Sequence, residues 1–217
     1  MIYLDNAATS FHKPDCVPRA VVEAMQHAGN SGRGSSGEAM AASRLIFNTR
    51  CQIAEMFDVW GPECVAFTSN DTEALNIALQ GTLHPEEGTI HAICTEMDHN
   101  SVLRPLYRLE KKGMELTILP ADCKGRISLT ELEAAIRPET KVIVCTHASN
   151  LTGNLNDIHA IGEIAQKHQK LFIVDAAQTA GVFPISMKKD HIDILCFSGH
   201  KGLMGPQGTG AICVRPG

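Results

Sequence analysis

The chain has 217 residues, 44% of them hydrophobic and 20% charged, enough for one large α/β domain with a substantial buried core. A formal net charge of -5 and the lack of any basic run argue against a nucleic-acid partner. The longest apolar runs, such as 142–145 and 171–174, are far too short to span a bilayer, and MIYLDNAATS has no signal-peptide pattern, so a cytoplasmic location is expected.

In chain order, the pattern predicts helices over 18–27 and 38–57, joined by the small-residue loop 30–37. That loop is either a lining of a site or dimer seam, or a plain connection. A strand at 64–68 leads to a helix at 72–79, a strand at 91–95 to a helix at 101–112, and a strand at 115–119 to a helix at 129–136. A strand at 141–146 and a helix at 157–168 follow, then strands at 171–175, 194–198 and 210–214. Near-continuous apolar strands alternating with helices predict a mostly parallel, mixed seven-stranded sheet flanked by helices.

Eight cysteines are scattered at 16, 51, 64, 94, 123, 145, 196 and 213, with no C-x-x-C pair and no zinc-ligand spacing. Free thiols are expected, with Cys94, Cys145 and Cys196 as small core residues, and no metal site.

Five strand ends carry polar clusters: Thr68-Ser69, Glu96 to His99, His147 to Asn150, Asp175 to Gln178, and Ser198 to Lys201. In open parallel sheets ligands bind outside the carboxyl ends of the strands, so these clusters predict one shared site. In the glycine-rich loop Ser198-Gly199-His200-Lys201-Gly202, a partly desolvated lysine suits Schiff-base chemistry, because burial favours the neutral, nucleophilic amine. Ser198 and His200 flank it as phosphate donors. Asp175, at the end of an apolar strand, needs a cationic partner or hydrogen-bond donors to stay ionised; a protonated pyridine nitrogen is such a partner, and Gln178, three residues on, is within reach of a ring oxygen. Asn70-Asp71-Thr72-Glu73 opens a helix whose free N–H groups and dipole suit a phosphate, with the Thr72 hydroxyl as a further donor. His99 suits stacking on a ring and proton relay. Asn150 ends another buried strand near the same point. Taken singly, each has an ordinary reading as a turn, cap or surface residue. Their combination is what points to one site.

With these motifs in hand, the sequence resembles the cysteine desulfurase branch of the class V aminotransferases, pyridoxal 5'-phosphate (PLP) enzymes of fold type I. Tyr3-Leu4-Asp5-Asn6-Ala7-Ala8-Thr9 matches the family's opening signature, and Thr72-Glu73, Asp98-His99, His147 to Asn150, Asp175 to Gln178 and Ser198 to Lys201 follow in its order. The resemblance implies that Lys201 links to the cofactor and then moves protons at the substrate α-carbon. It implies that Asp175 pairs with the pyridine nitrogen, Gln178 bonds the ring oxygen and His99 stacks on the ring. Thr72, Ser198, His200 and the amides near Asp71 would hold the phosphate, and Asn150 would lie beside ring and substrate.

The implied reaction removes sulfur from L-cysteine, giving alanine and an enzyme persulfide. A homodimer, a sulfur-acceptor protein and a role in iron–sulfur cluster assembly come with the resemblance. The alternatives are another class V aminotransferase, a selenocysteine lyase, or a non-catalytic PLP-binding scaffold. Generic Rossmann binding is disfavoured, because no G-x-G-x-x-G follows the first strand. Relatives continue for on the order of 150 residues more, a domain's length. Residues 1–217 are therefore expected to be the N-terminal segment and PLP-binding large domain of a longer chain. The C-terminal small domain, with the persulfide cysteine and the substrate-binding arginine, would be missing. One departure stands out: Asn70-Asp71 replaces small or neutral residues, and a carboxylate beside a phosphate is unfavourable unless its side chain turns toward solvent, so a weakened phosphate affinity is expected.

Overall fold

The apolar runs pair edge to edge into one sheet. In the computed structural model, which describes residues 2–217, the strands are β1 (Val65–Thr68), β2 (His91–Thr95), β3 (Glu115–Leu119), β4 (Thr140–Thr146), β5 (Leu171–Asp175), β6 (Ile194–Ser198) and β7 (Gly210–Val214). Their order across the sheet is β1-β7-β6-β5-β4-β2-β3. Only the pairings of β7 with β1 and β6 are antiparallel. The predicted mixed, mostly parallel seven-stranded sheet is what forms.

Period-two alternation puts each central strand into two cores at once. Ile143, Cys145, Phe172, Val174, Leu195 and Phe197 point to one face, and Val142, Val144, Ile173, Ile194 and Cys196 to the other. The first face is covered by α5 (Leu129–Ala135) and α6 (Ile158–Lys167), through Leu132, Ile158, Ile161 and Ala165. The second is covered by α3 (Asp71–Thr82) and α4 (Asn100–Glu110), through Leu75, Leu79, Val102 and Leu106. The N-terminal helices, α1 (Cys16–His27) and α2 (Gly37–Met56), lie outside this sandwich; α1 buries no residue and α2 reaches the core through Ala54.

Element ends differ from expectation by a few residues, for local reasons. Helix α1 starts at Cys16 because Pro18 falls in its first turn, where a missing N–H costs nothing. Cys64 belongs to a short 3-10 turn, Pro62–Cys64, before β1. Helix α3 continues past Leu79 to Thr82, which brings Leu83 into the core at 1% exposure.

One connection matters for the site. Because β7 returns antiparallel to β6, the segment between them is a reversing loop held at the carboxyl end of β6. Gly210 begins β7 under the start of α3: a Cβ there would lie 2.7 Å from the Asn70 carbonyl carbon. The absence of a side chain lets the lysine loop and the α3 N-terminus approach each other.

Candidate active site

Strands β1, β2, β4, β5 and β6 share one direction, so the loops after them open on the same edge and line a cavity of about 400 Å³. Asp71 and Thr72 reach it from the β1 end, His99 from β2 and Asn150 from β4. Asp175 and Gln178 come from β5, and Ser198, His200 and Lys201 from β6. Every candidate residue read from the sequence therefore borders one space. No residue of the 30–37 loop does.

The N-terminal segment closes the cavity, with Asp5, Ala7 and Ala8 on its wall. It is tied to the lysine loop by His200, whose carbonyl accepts from Ser10 N–H and Ser10 Oγ at 3.1 and 2.9 Å. His200 Nδ1 lies 3.0 Å from Thr9 Oγ1. Burial, and then the charges of Lys201 and Lys13, lower the His200 pKa and favour the neutral imidazole. Gln178 Nε2 donates to the Ala7 carbonyl at 3.0 Å.

At the α3 N-terminus, Asn70 Oδ1 accepts from Glu73 N–H at 2.9 Å, the ordinary capping bond. Glu73 reaches back to Ser69 N–H at 2.6 Å, completing a reciprocal cap. Asp71 N–H donates to Ser198 Oγ at 3.2 Å, which joins the helix start to β6. The Thr72 N–H has no partner among the described residues and stands at the cavity. The capping and anion-binding readings of this turn thus coexist.

Ser101, not singled out in the sequence, organises the opposite wall. Its N–H donates to His99 Nδ1 at 3.2 Å, and its Oγ lies 2.8 Å from His99 Nδ1 and 2.8 Å from Thr72 Oγ1. With Nδ1 accepting from the backbone, the imidazole carries its proton on Nε2. Only a His two residues before a helix-start Ser hinted at this. Asp98, beside it, is a clamp: it accepts from Thr95 N–H, Thr95 Oγ1 and Thr146 N–H at 2.7, 2.9 and 2.5 Å. Burial raises its pKa to about 7 against the pull of those donors.

The Asp71 side chain does not turn to solvent: it is 5% exposed and lines the cavity together with Asp175. Burial, and then the charge of Asp175, push Asp71 well above the usual carboxylate range, while Lys201 pulls it back. Burial also raises Asp175, opposed by the Ala177 N–H at 2.9 Å, Lys201 and His99.

A family model for aminotransferase class-V matches residues 2–217. The chain belongs to the class-V aminotransferase family. Among curated relatives, it is 37% identical over 218 residues to the cysteine desulfurase IscS of Vibrio atlanticus, covering 99% of this chain and 53% of that protein. It is 38% identical over 224 residues to the IscS of Actinobacillus succinogenes, again covering 99% of this chain and 53% of the relative. The chain spans about half the length of the curated relatives it matches. Among solved structures, SspA in complex with cysteine superposes with a TM-score of 0.93 at 31% identity, over 99% of this chain and 61% of that one. The apo cysteine desulfurase of Thermococcus onnurineus gives 0.92 at 34% identity, over 99% and 53%.

Class-V aminotransferases and cysteine desulfurases depend on PLP, and this cavity fits that group. Asp175 is 2% exposed yet its carboxylate accepts from one protein N–H, which leaves acceptor capacity for a cation inside the cavity. Thr72 N–H, Ser198 Oγ and the positive end of α3 converge on an anion position. The buried Asp71 Oδ1 has no hydrogen-bond partner among the described residues. No cysteine lines the cavity among the described residues, and no cluster of residues there suits a metal ion. No helix among the described residues is long and apolar enough to cross a membrane.

Proposed function

We propose that the protein is the cofactor-binding part of a PLP-dependent cysteine desulfurase, with residues 1–217 forming its N-terminal segment and large domain. The observation that carries this reading is the meeting of Asp175, His99 and Lys201 with the α3 N-terminus in one cavity of about 400 Å³. PLP, when bound, supplies an electron sink for the charge left at the substrate α-carbon.

The protein's own residues then have distinct tasks. Lys201 Nζ holds the cofactor covalently and carries a proton to or from the α-carbon. Asp175, ionised, holds a proton on the ring nitrogen. His99, fixed by Ser101, offers its Nε2 proton toward the ring and substrate. Thr72 N–H, Ser198 Oγ and His200 would hold the phosphate, and Gln178 would bond the ring oxygen. Asn150 borders the substrate side.

The substrate reading is L-cysteine, supported by the desulfurase relatives and by the similar structure that holds cysteine. The thiol that takes the sulfur must come from outside the cavity wall described here, since none of the cysteines lines it. A homodimer, an acceptor protein for the sulfur and a cytoplasmic setting complete the proposal. A non-catalytic PLP-binding scaffold is the second reading, favoured by the same lack of a cavity cysteine.

The test is alanine and sulfide production from L-cysteine by the PLP-loaded protein and by Lys201→Ala. Product formation that falls about 10³-fold or more in the variant supports the desulfurase. PLP binding without turnover, even after the missing domain is supplied, favours the scaffold, and amino-group transfer to a keto acid without sulfide favours an aminotransferase.

A further inference from the structure

Asp71 has a burial that helix capping does not require. An acid in the first turn of a helix interacts well with its dipole while exposed, and the cap itself is already made by Asn70. Yet Asp71 is 5% exposed, with Oδ1 unpartnered, inside the cavity. Asp175, itself 2% exposed, lines the same cavity, so the two buried carboxyls share one enclosed space.

We propose that Asp71 is a positioning residue that holds a proton against Asp175 and thereby sets how much negative charge Asp175 presents to the cofactor's ring nitrogen. The inference rests on the reading of this cavity as a PLP site.

The surroundings decide which acid carries the proton. Two carboxylates in one buried site do not both ionise. Asp175 has the Ala177 N–H at 2.9 Å and faces Lys201 and His99, all of which favour its charged form. Asp98 also interacts with Asp175 and, carrying like charge when ionised, opposes that form. Asp71 faces Asp175 from β5, the Cys196 thiol from β6 and Lys201 from the following loop, and its side chain has no N–H donor. The proton therefore sits on Asp71, which keeps a second negative charge away from the phosphate position at Thr72. As a neutral donor to Asp175, it draws part of that carboxylate's hydrogen-bonding capacity from the ring nitrogen.

The experiment uses 15N-labelled PLP on the wild-type protein, Asp71→Asn and Asp71→Ala. Borohydride trapping at Lys201 is checked in each. The ring-nitrogen signal in Asp71→Ala is expected to shift toward the fully protonated pyridinium position. In Asp71→Asn, which keeps an N–H donor, it stays near wild type. An unchanged signal in Asp71→Ala with Lys201 still trapped overturns the proposal. The protein without cofactor gives a second readout through 13C-carboxyl titration of the wild type. The Asp71 signal is expected to titrate above the ordinary carboxylate range, and titration near pH ~4 overturns the proposal. Failure of PLP to attach to Lys201 in wild type counts against the reading of the cavity instead, and the titration still decides the state of Asp71.

Discussion

At the β2–β4 end of the cavity, the buried carboxylate of Asp98 accepts from three protein donors at 2.5 to 2.9 Å. At the β5–β6 end, Asp175 accepts from Ala177 alone and Asp71 Oδ1 from nothing. All three acids are nearly inaccessible, at 6%, 2% and 5% exposure. A saturated carboxylate ties strands together and has no capacity left for a ligand. An unsaturated one is destabilising in the free protein unless a proton or a bound group satisfies it. The first region ties strands together; the second keeps the unfilled acceptors that the proposed cofactor site needs.

The largest effect expected from this contrast is at Asp98. Asp98→Ala leaves the Thr95 and Thr146 N–H groups without an acceptor and is expected to cost about 3 kcal/mol in urea unfolding. A loss below about 1 kcal/mol would break the comparison. The pH dependence sharpens it. The Asp98 pKa is about 7 in the folded protein and roughly 3.9 in an unfolded chain. The unfolded state then releases the proton first, so stability from this residue is full below pH ~4 and declines as pH rises toward 7. Asp71, also raised, adds to the same slope. Asp98→Asn and Asp71→Asn should each flatten the curve of melting temperature against pH.

Gly210→Ala comes next. The added methyl meets the Asn70 backbone at 2.7 to 2.8 Å, and the expected cost is about 1–3 kcal/mol, together with weaker PLP binding as the α3 N-terminus is displaced. Equal PLP affinity in the variant would mean that this close approach does not shape the anion position. Ser101→Ala should have the smallest effect, about 1 kcal/mol or less in stability. It frees the His99 ring, so the visible spectrum of the PLP-loaded protein should respond more than its melting temperature does.

The fold was legible because its signal is local. Runs such as Leu171–Asp175 and Ile194–Ser198 are apolar throughout, as strands buried on both faces must be. The candidate site was legible because polar residues stop those runs at the same end. What escaped notice depends on partners distant in sequence. Asp98 is a clamp only because Thr146 lies 48 residues away, and the tie between Ser10 and His200 spans 190. The burial of Asp71 is of the same kind: its helix start is joined to Ser198, 127 residues away. Ser101 reads as a helix-start serine until its hydroxyl is seen between His99 and Thr72.

The most direct test of the account is borohydride reduction of the PLP-loaded protein followed by peptide mapping, on wild type and Lys201→Ala. The account predicts one modified residue, Lys201, and no fixed cofactor in the variant. Cofactor fixed to another lysine, or to the variant as efficiently as to wild type, would contradict it.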